Sequence, residues 1–485
     1  MSDGVTPSRM YVDGQWVEAT GGERFEVLNP ATGETVAQVP DARAEDVTAA
    51  VEAAARAFPA WAARTALERG QILLRMEQLI LQRRDELARL ITLENGKPFE
   101  EARREVTFAA GYFRWFAEEA RRVYGAIVPP PVPQKRLWVL HQPIGVVAAI
   151  TPWNFPATMI SRKAAPALAA GCTVVLKPAS ATPLTALALA AVAHEAGMPP
   201  GVFNVVTGRR SGAIARVFLE HPAVRKIGFT GSTDVGKELM AGAAAGLKRV
   251  SFELGGNAPF IVFDDADLQA AAEGAAAIKF LRVAGQSCIC ANRVYVQESV
   301  ADRFLPLFVE QVRRLKVAPG FEPGAQIGPL INRATLEKVH ELVESAVKEG
   351  ARVVTGGQRL TEGALGRGLF YAPTVLTQVR EEMAVAREEI FGPVAPVMTF
   401  RDEEEVVRRA NDTRFGLAAY FYTRDLRRAI RVAEALEYGM IGVNDASGYS
   451  HEIPFGGFKE SGLGREGGRE GIHEYLEVKS VSLVL

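Results

Sequence analysis

The sequence predicts an α/β protein with at least two domains and a small, separate β arm. From Gly145 onward, β-branched apolar runs alternate with Ala-rich amphipathic stretches, which is the pattern of βα units that build a parallel sheet. A chain of 485 residues is also too long for a single hydrophobic core. The run PPPVP at 129–133 fits neither a helix nor a central strand, so the strand-like RLWVLHQ after it is expected to form the arm.

The first series of βα units covers 145–254. Its strands are predicted at 145–150, 173–178, 202–206, 224–230 and 249–254, and its helices at 157–170, 183–197, 211–220 and 234–245. Residues 42–126 precede this series and show a helical period, with Pro59, Gly96 and Pro98 as predicted breaks. We therefore expect the helices of 42–126 to pack on the first sheet.

A second series begins after residue 255. Its helices are predicted near 265–280, 299–315, 334–349, 402–411 and 425–437, and its strands at RVYVQ, ARVVTGG, PTVLTQV, AAYFYT and MIGVN. The chain ends in EYLEVKSVSLVL, whose alternation predicts a strand with an unpaired edge. A homodimer or homotetramer would cover that edge.

Composition argues against several classes of protein. The 56 basic and 57 acidic residues nearly cancel, and no basic block recurs, so a nucleic-acid partner is not expected. No uncharged apolar stretch approaches the roughly 20 residues that span a bilayer, and the first residues do not resemble a secretory signal. These features predict a cytoplasmic protein that does not enter a membrane.

Cysteine and histidine usage narrows the chemistry. Cys172, Cys288 and Cys290 are too few for a disulfide framework, which leaves a chemical role for cysteine. The six histidines are scattered singly without metal-ligand spacing, so no metal site is predicted.

Two Gly-rich segments imitate nucleotide-binding motifs. The segment 462–467 matches GxGxxG but does not follow an apolar strand, so it is predicted to be a loop. The segment 231–237 matches most of a P-loop, but Glu238 stands where a Ser or Thr would hold magnesium, which weakens an ATPase interpretation. Because 231–237 joins a strand to a helix, its backbone N–H groups can still bind an anion, and we expect a dinucleotide pyrophosphate.

Several segments together resemble the aldehyde dehydrogenase superfamily. They are TPWNFP at 151–156, LKPAS at 176–180, FTGSTDVGK at 229–237, ELGGNAP at 253–259, GQSC at 285–288, EEIFGPV at 388–394 and PFGGFKESGLGRE at 454–466. The resemblance implies an enzyme that oxidises an aldehyde to an acid with NAD or NADP. It also implies a Rossmann-like NAD(P)-binding domain over 1–129 and 146–254, a catalytic domain over 255–440, and an oligomerisation arm of 130–145 and 470–485.

The resemblance assigns catalytic roles to three residues. Cys288 becomes the nucleophile, although no partner that would lower its thiol pKa is evident in the sequence. Asn154 and the Cys288 backbone N–H become the donors to the oxyanion, and Glu253 becomes the base that activates water. The presence of Glu253 also argues against the acylating branch, in which coenzyme A replaces water. Without the resemblance, Cys288 would be a small buried apolar residue, Asn154 an Asx turn and Glu253 a solvated strand end.

The cofactor site follows from the same resemblance. Lys177 matches the lysine that contacts the adenosine ribose, and Ser180 stands where a Glu would repel a 2′-phosphate, so NADP is expected to be accepted and preferred. Further cofactor contacts are assigned to Trp153, Gly231, Ser232, Glu389 and Phe391. Taken alone, Ser232 could be a helix N-cap and Phe391 a core residue.

Within the superfamily, the chain is most similar to succinate-semialdehyde dehydrogenases. The similarity lies in residues 151–172, in Cys-Ile-Cys at 288–290 and in HEYLEVK near the end. Arg162 and Arg282 match the carboxylate-binding arginines, and Ser450 or its neighbour Tyr449 matches a helping hydroxyl.

Other interpretations of the substrate site stay open. Val283 departs from the usual polar residue, so glutarate semialdehyde, 2-oxoglutarate semialdehyde and a broad aldehyde range remain alternatives. Taken alone, Arg162 could be a solvated first-turn residue. A non-enzymatic use of the scaffold is disfavoured because Cys288, Glu253 and Asn154 are all present.

Cys290 suggests a further hypothesis. A thiol two residues from the nucleophile could form a disulfide with it under oxidation and stop the enzyme, as in some members of the subgroup. Such a bond needs Cα atoms within about 7 Å.

Overall fold

The architecture of the computed structural model, which describes residues 8–447 and 449–485, is built on two large β-sheets. The centre of the first sheet is parallel and has the order β9 (Phe203–Val205), β8 (Thr173–Lys177), β7 (Val146–Ile150), β10 (Val224–Thr230) and β11 (Arg249–Glu253). Antiparallel strands extend both sides: β1 (Met10–Val12) and β2 (Gln15–Val17) beyond β9, and β20 (Gly462–Leu463) beyond β11. The predicted strands 145–254 thus form one sheet, with ends within two residues of the expected ones.

Eight helices accompany the strands of this first half of the chain. They are α1 (Ala44–Ala62), α2 (Ala66–Gln82), α3 (Arg84–Asn95), α4 (Phe99–Glu119), α5 (Pro156–Ala170), α6 (Leu184–Glu195), α7 (Ser211–Glu220) and α8 (Thr233–Ala244). The predicted break at 96–98 is confirmed, because Gly96 ends α3 with a left-handed φ of 87° and Pro98 precedes α4. The predicted break at Pro59 is wrong: Pro59 lies in the last turns of α1, where its missing N–H removes a single helical hydrogen bond.

The second sheet has the order β14 (Arg352–Thr355), β15 (Thr374–Thr377), β16 (Val394–Phe400), β13 (Ala291–Gln297), β12 (Ala258–Val262), β17 (Ala418–Tyr422) and β18 (Met440–Val443). All of its neighbours are parallel except β14 and β15. Its helices are α9 (Leu268–Phe280), α10 (Glu298–Arg313), α11 (Arg333–Lys348), α12 (Ala384–Arg387), α13 (Glu403–Asn411) and α14 (Leu426–Ala435). Strands β12 and β16 were not predicted, because both lie beside motifs rich in Gly and Pro that mask their apolar runs.

A third, smaller sheet holds the two ends of the predicted arm together. Strand β6 (Lys135–Pro143) pairs along its whole length with β22 (Leu476–Val484) and also with β5 (Ala126–Val128). Within the described residues β22 has a strand on one side only, and Val478 and Val484 on it are each 65% exposed. An apolar edge of this kind favours association with another chain.

The remaining elements are short. They are the hairpin β3 (Arg24–Leu28) with β4 (Thr35–Pro40), the pair β19 (Pro454–Phe455) with β21 (Glu466–Gly467), helix α15 (Glu470–His473), and 3₁₀ turns at Ala120–Arg122, Val283–Gly285, Gly363–Arg367 and Lys459–Ser461. The segment 462–467 was predicted to be a loop, but it contributes two short strands, because β20 adds to the edge of β11 and β21 pairs with β19. Within the described residues, no helix is long and apolar enough to cross a bilayer.

Candidate active site

A cavity of about 1130 Å³ opens at the carboxyl ends of the parallel strands of the first sheet. We call it the strand-end cavity; its wall includes Trp153, Lys177, Ser180, Gly231 and Ser232. Lys177 is the last residue of β8, and its Nζ donates a hydrogen bond to Oγ of Ser211, 3.0 Å away. Burial lowers the pKa of Lys177 to about 8, so this ammonium group holds its proton less tightly than a solvated lysine.

The turn between β10 and α8 presents backbone groups to this cavity. Ser232 is the N-cap of α8, and its hydroxyl accepts a hydrogen bond from the backbone N–H of Val235. A side chain at Gly231 would lie 2.4 Å from the ring of Phe229, so only glycine fits there. The bare turn and the helix N-terminus together can hold an anion.

Glu389 and Phe391 lie on the segment before β16. Oε1 of Glu389 accepts a hydrogen bond from the backbone N–H of Gly256 at 3.1 Å, and burial raises the pKa of Glu389 to about 7. Phe391 has a φ of 56°, which a bulky residue rarely adopts, and its ring meets the ring of Trp153 edge to face with 5.6 Å between centroids. Phe391 is thereby held beside the strand-end cavity through Trp153.

A second cavity, of about 640 Å³, contains the half-buried Cys288 in its wall. We call it the cysteine cavity; its wall includes residues of α4, α5 and α9, residues 444–447, Tyr449 and Phe455. The backbone before Cys288 is strained, because Val283, Ala284 and Gly285 have φ of 47°, 54° and 77° in succession. The carboxylate of Glu101 on α4 accepts a hydrogen bond from the Val283 N–H at 2.9 Å and so ties this turn to the helix.

The thiol of Cys288 is not activated by its surroundings in this state. Burial raises the pKa of Cys288 above the usual range, and the carboxylates of Glu389 and Glu253 raise it further. The guanidinium of Arg162 acts in the opposite direction. The thiolate therefore needs a group that accepts its proton.

Asn154 is buried, and its backbone and side chain are both held in place. Its Nδ2 donates a hydrogen bond to the carbonyl of Gln286 at 3.0 Å, and its carbonyl accepts one from Nζ of Lys97 at 2.7 Å. Lys97 is in turn paired with Glu105 on α4. An amide has two N–H groups, and among the described residues Gln286 occupies one of them, so the other can donate to a ligand.

Glu253 is the last residue of β11 and is only 2% exposed. Within the described residues, neither of its carboxylate oxygens has a hydrogen-bond partner. Burial raises the pKa of Glu253 well above its usual value, and the charge of Glu466 raises it further. A carboxyl group with a raised pKa takes up a proton more readily than a solvated one.

Two cations from α5 meet one buried carboxylate next to Glu253. Nη2 of Arg162 lies 2.6 Å from Oε2 of Glu466, and Nζ of Lys163 contacts Oε1 of the same carboxylate. Lys163 also donates to Oγ1 of Thr230 at 2.6 Å. Burial alone would raise the pKa of Glu466, but these two positive charges outweigh it and lower the pKa below its usual range.

Arg162 also stacks on an aromatic ring. Its guanidinium carbon lies 3.7 Å from the ring centroid of Phe455.

Arg282 presents a guanidinium to the cysteine cavity without a carboxylate partner. Its Nη1 donates to the hydroxyl of Tyr449 at 2.5 Å, and its guanidinium carbon lies 4.5 Å from the centroid of the same ring. Within the described residues no acidic side chain forms an ion pair with Arg282. The charge of Arg282 is therefore available to an anionic ligand.

The sequence was compared with models of protein families and with known proteins. The sequence model of the Aldehyde dehydrogenase family matches residues 16–481. The chain belongs to that family. It is 53% identical to the NADP-dependent succinate-semialdehyde dehydrogenase of Escherichia coli K12, over 98% of this chain and 97% of that protein. It is 54% identical to a glutarate-semialdehyde dehydrogenase of Pseudomonas aeruginosa, over 98% of this chain and 97% of the relative.

A solved structure agrees with these relatives. The crystal structure of an E. coli NADP-dependent enzyme superimposes with a TM-score of 0.96 at 53% identity, and the match covers 99% of this chain and 98% of that one. The family resemblance and the α/β fold class expected from the sequence are both confirmed.

The predicted site residues lie in or near two different cavities. Trp153, Lys177, Ser180, Gly231 and Ser232 line the strand-end cavity, whereas Cys288, Arg162 and Arg282 line the cysteine cavity. Asn154 and Glu253 are buried near Cys288: the hydrogen bond of Asn154 to Gln286 and the charge effect of Glu253 on the thiol place them there. The helping hydroxyl was assigned to Ser450 or its neighbour Tyr449, and among the described residues of this loop Tyr449 lines the cavity and Ser450 does not.

Cys290 lies outside the cavity wall. It is 4% exposed, and burial raises its thiol pKa to about 11. All three cysteines are free thiols. The described residues contain no cluster of three or more metal-ligating side chains.

Sequence reasoning missed the ion-pair cluster of Lys163 and Glu466. The sequence contains a signal for this cluster, because Arg162 and Lys163 are the charged residues of a helix that is otherwise uncharged and is buried along its whole length. Buried cations need a carboxylate partner. The partner could not be named from sequence, since Glu466 lies 303 residues away in a segment that was interpreted as a loop.

Proposed function

We propose that this protein is a non-acylating, NAD(P)-dependent dehydrogenase that oxidises a carboxylated semialdehyde, with succinate semialdehyde as the principal candidate. The observation that carries the proposal is that Cys288 shares a cavity with Arg282, a guanidinium without a carboxylate partner among the described residues. The names of the two relatives support the same class of substrate.

Cys288 is the proposed nucleophile. Its thiolate adds to the aldehyde carbon, and the carbonyl oxygen gains negative charge as the thiohemiacetal forms. The free N–H of Asn154, together with the backbone N–H of Cys288, would donate to that oxygen. The hydrogen bond from Asn154 to Gln286 supports this role because it fixes the amide before the substrate arrives.

Glu253 is the proposed base for release of the acid. Its carboxylate would take a proton from water, which attacks the thioester carbon so that Cys288 leaves as thiolate and the acid is released. Neither of its oxygens has a hydrogen-bond partner in the part of the chain that the structure describes, which supports this role because the carboxylate can then turn toward water. Its raised pKa fits a group that gains and loses a proton in each cycle.

The strand-end cavity fits a nicotinamide dinucleotide. Its volume of about 1130 Å³ and the bare turn at Gly231 suit an extended ligand with a pyrophosphate. A bound nicotinamide would supply the hydride acceptor, so that the thiohemiacetal on Cys288 loses the hydride of its carbon and becomes the thioester. Lys177 and Ser180 would hold the adenosine ribose and its 2′-phosphate, which supports a preference for NADP. Ser232 would contact the pyrophosphate, while Glu389, Phe391 and Trp153 would hold the nicotinamide ribose and ring.

The proposed substrate clamp consists mainly of Arg282 and Tyr449. Arg162 shares the cavity wall, but it is held in an ion pair with Glu466, which it shares with Lys163, so it can add only those N–H groups that the ion pair does not use. Glutarate and 2-oxoglutarate semialdehyde, and a broad aldehyde range, remain the alternatives.

We extend the proposal to organisation. Residues 1–129 and 146–254 would bind the cofactor, 255–440 would carry the catalytic loop, and 130–145 with 470–485 would join subunits into a cytoplasmic homodimer or homotetramer. The exposed Ile127 and Val478 of the third sheet support the subunit contact. The mass of the protein in solution tests it.

The experiment that tests the activity is one rate matrix. The initial rates with succinic, glutaric and 2-oxoglutaric semialdehyde and with a neutral aldehyde, each with NAD and NADP, should be highest for a carboxylated aldehyde with NADP. A neutral aldehyde that matches the best semialdehyde in kcat/KM would contradict the clamp. Absence of any aldehyde oxidation would contradict the activity itself.

A further inference from the structure

The cysteine cavity contains three guanidinium groups that differ in their partners. Arg162 is 3% exposed and paired with Glu466, and Arg282 is half-buried and bonded to Tyr449. Arg104 on α4 is exposed, and within the described residues it has no hydrogen-bond or ion-pair partner. Among the described residues, Arg104 is thus the one of these three guanidinium groups that has no protein partner, and it lies at the exposed mouth of the cavity.

The acidic side chains near Arg104 form hydrogen bonds or ion pairs with other residues. Glu100, one turn earlier on α4, forms its ion pair with Arg103. Glu101 accepts the hydrogen bond from Val283, and Glu105 is paired with Lys97. Glu273 and Asp445 also line the cavity; Glu273 accepts a hydrogen bond from Gln269, and Asp445 accepts two from Ser447. Within the described part of the chain Arg104 therefore keeps its whole set of donors, although Glu273 and Asp445 make this region less positive than the guanidinium alone.

From this arrangement we propose that Arg104 is an outer carboxylate contact that extends the substrate range to longer ω-oxo acids. The inference rests on the proposed function, in which the aldehyde carbon is held at Cys288. Each added methylene moves the distal carboxylate outward, from Arg282 toward the mouth of the cavity. A four-carbon semialdehyde is held at Arg282, and a six-carbon one reaches Arg104, whose planar fork can bind the carboxylate through two hydrogen bonds.

The size of the effect is set by exposure. An ion pair at a solvated site contributes little, and about a fivefold change in affinity is the upper range for such a pair. Salt screens it further, so the contribution of Arg104 should shrink at 0.5 M NaCl, where the Debye length is about 4 Å. A contact at the mouth leaves the reacting atoms untouched, so KM changes and kcat does not.

The test compares R104A with R114A. Arg114 lies on the same helix, is 64% exposed, contacts Glu77 and Glu118, and is absent from the cavity wall, so R114A removes the same charge from α4 without touching the mouth. The substrates are the ω-oxo acids of four, five and six carbons, together with pentanal. R104A should raise KM about fivefold for the six-carbon acid and less than twofold for the four-carbon acid, with pentanal unchanged. R114A should leave all four unchanged.

Two outcomes would overturn the proposal. Equal increases for all three acids would mean that Arg104 attracts anions over a distance and does not bind the carboxylate. No increase for the six-carbon acid would mean that it makes no contact at all. Failure of the proposed function looks different, because the wild-type enzyme would then oxidise pentanal and none of the ω-oxo acids. R104Q, which keeps side-chain length and polarity, separates loss of charge from loss of packing and should resemble R104A.

Discussion

The two cavities of this enzyme are built in different ways. The strand-end cavity is formed by the ends of consecutive βα units, and its ligand groups are a bare turn, a helix N-terminus and isolated side chains such as Lys177. The cysteine cavity is formed by helices and loops from distant parts of the chain, and a buried network of paired charges borders it. Ligand binding in the strand-end cavity thus depends mainly on backbone geometry, whereas the cysteine cavity depends on the ion pairs that border it. Changes in the two cavities should therefore have separable consequences.

The largest expected effect belongs to the buried charges beside the cysteine cavity. E253Q removes the base but keeps the shape, so kcat should fall by about a hundredfold to ten-thousandfold, with NADP affinity unchanged. Because its pKa is raised, Glu253 is protonated at low pH, and the wild-type rate should increase as pH rises and the carboxylate forms. The pH profile of kcat measures this, and E253Q should lose the rise due to Glu253.

A rapid-mixing experiment shows which step Glu253 serves. If it activates water only, E253Q should still release close to one equivalent of NADPH per active site in a burst and then stop. A burst slowed as much as the steady state would show instead that Glu253 also takes the proton of Cys288.

A smaller effect is expected in the strand-end cavity. S180E places a carboxylate beside the predicted position of the 2′-phosphate, and kcat/KM with NADP should fall about a hundredfold, since like charges in a binding site disfavour each other by several kcal/mol. The kcat/KM with NAD should change by less than about threefold, and KM for the aldehyde should not change. S180A is the matched control and should lie near the wild type. A parallel loss with NAD and NADP would show that position 180 does not distinguish the two cofactors.

The smallest effect on basal rate is expected at Cys290. We propose that Cys288 and Cys290 form a disulfide under oxidation, because residues two apart always keep their Cα atoms within about 7 Å. C290A should retain the wild-type rate within about twofold. After both proteins have been treated with peroxide, dithiothreitol should restore a larger share of the activity in the wild type than in C290A. Equal recovery of both proteins would contradict the disulfide.

The same contrast explains what the sequence could and could not predict. The βα units, their order and the residues at strand ends, such as Lys177 and Glu253, follow from local patterns in contiguous segments. Strand β12 and the short strands at 462–467 were missed, since Gly-rich neighbours resemble turns until a partner strand is known. The ion pair of Arg162 with Glu466 and the hydroxyl of Tyr449 beside Arg282 arise only when distant segments meet. No local pattern carries that information.

The pairing of Glu466 with two cations of α5 bears on how the chain can be made. On the ribosome, α5 and the parallel strands of the first sheet emerge long before residue 466, yet Arg162 and Lys163 cannot be buried favourably until that carboxylate arrives. The nascent first half must therefore keep this helix hydrated or shielded through the synthesis of some three hundred further residues. A chain that stops before residue 466 would carry two uncompensated cations into its core, so premature termination yields a clearly defective product and not a partly active one.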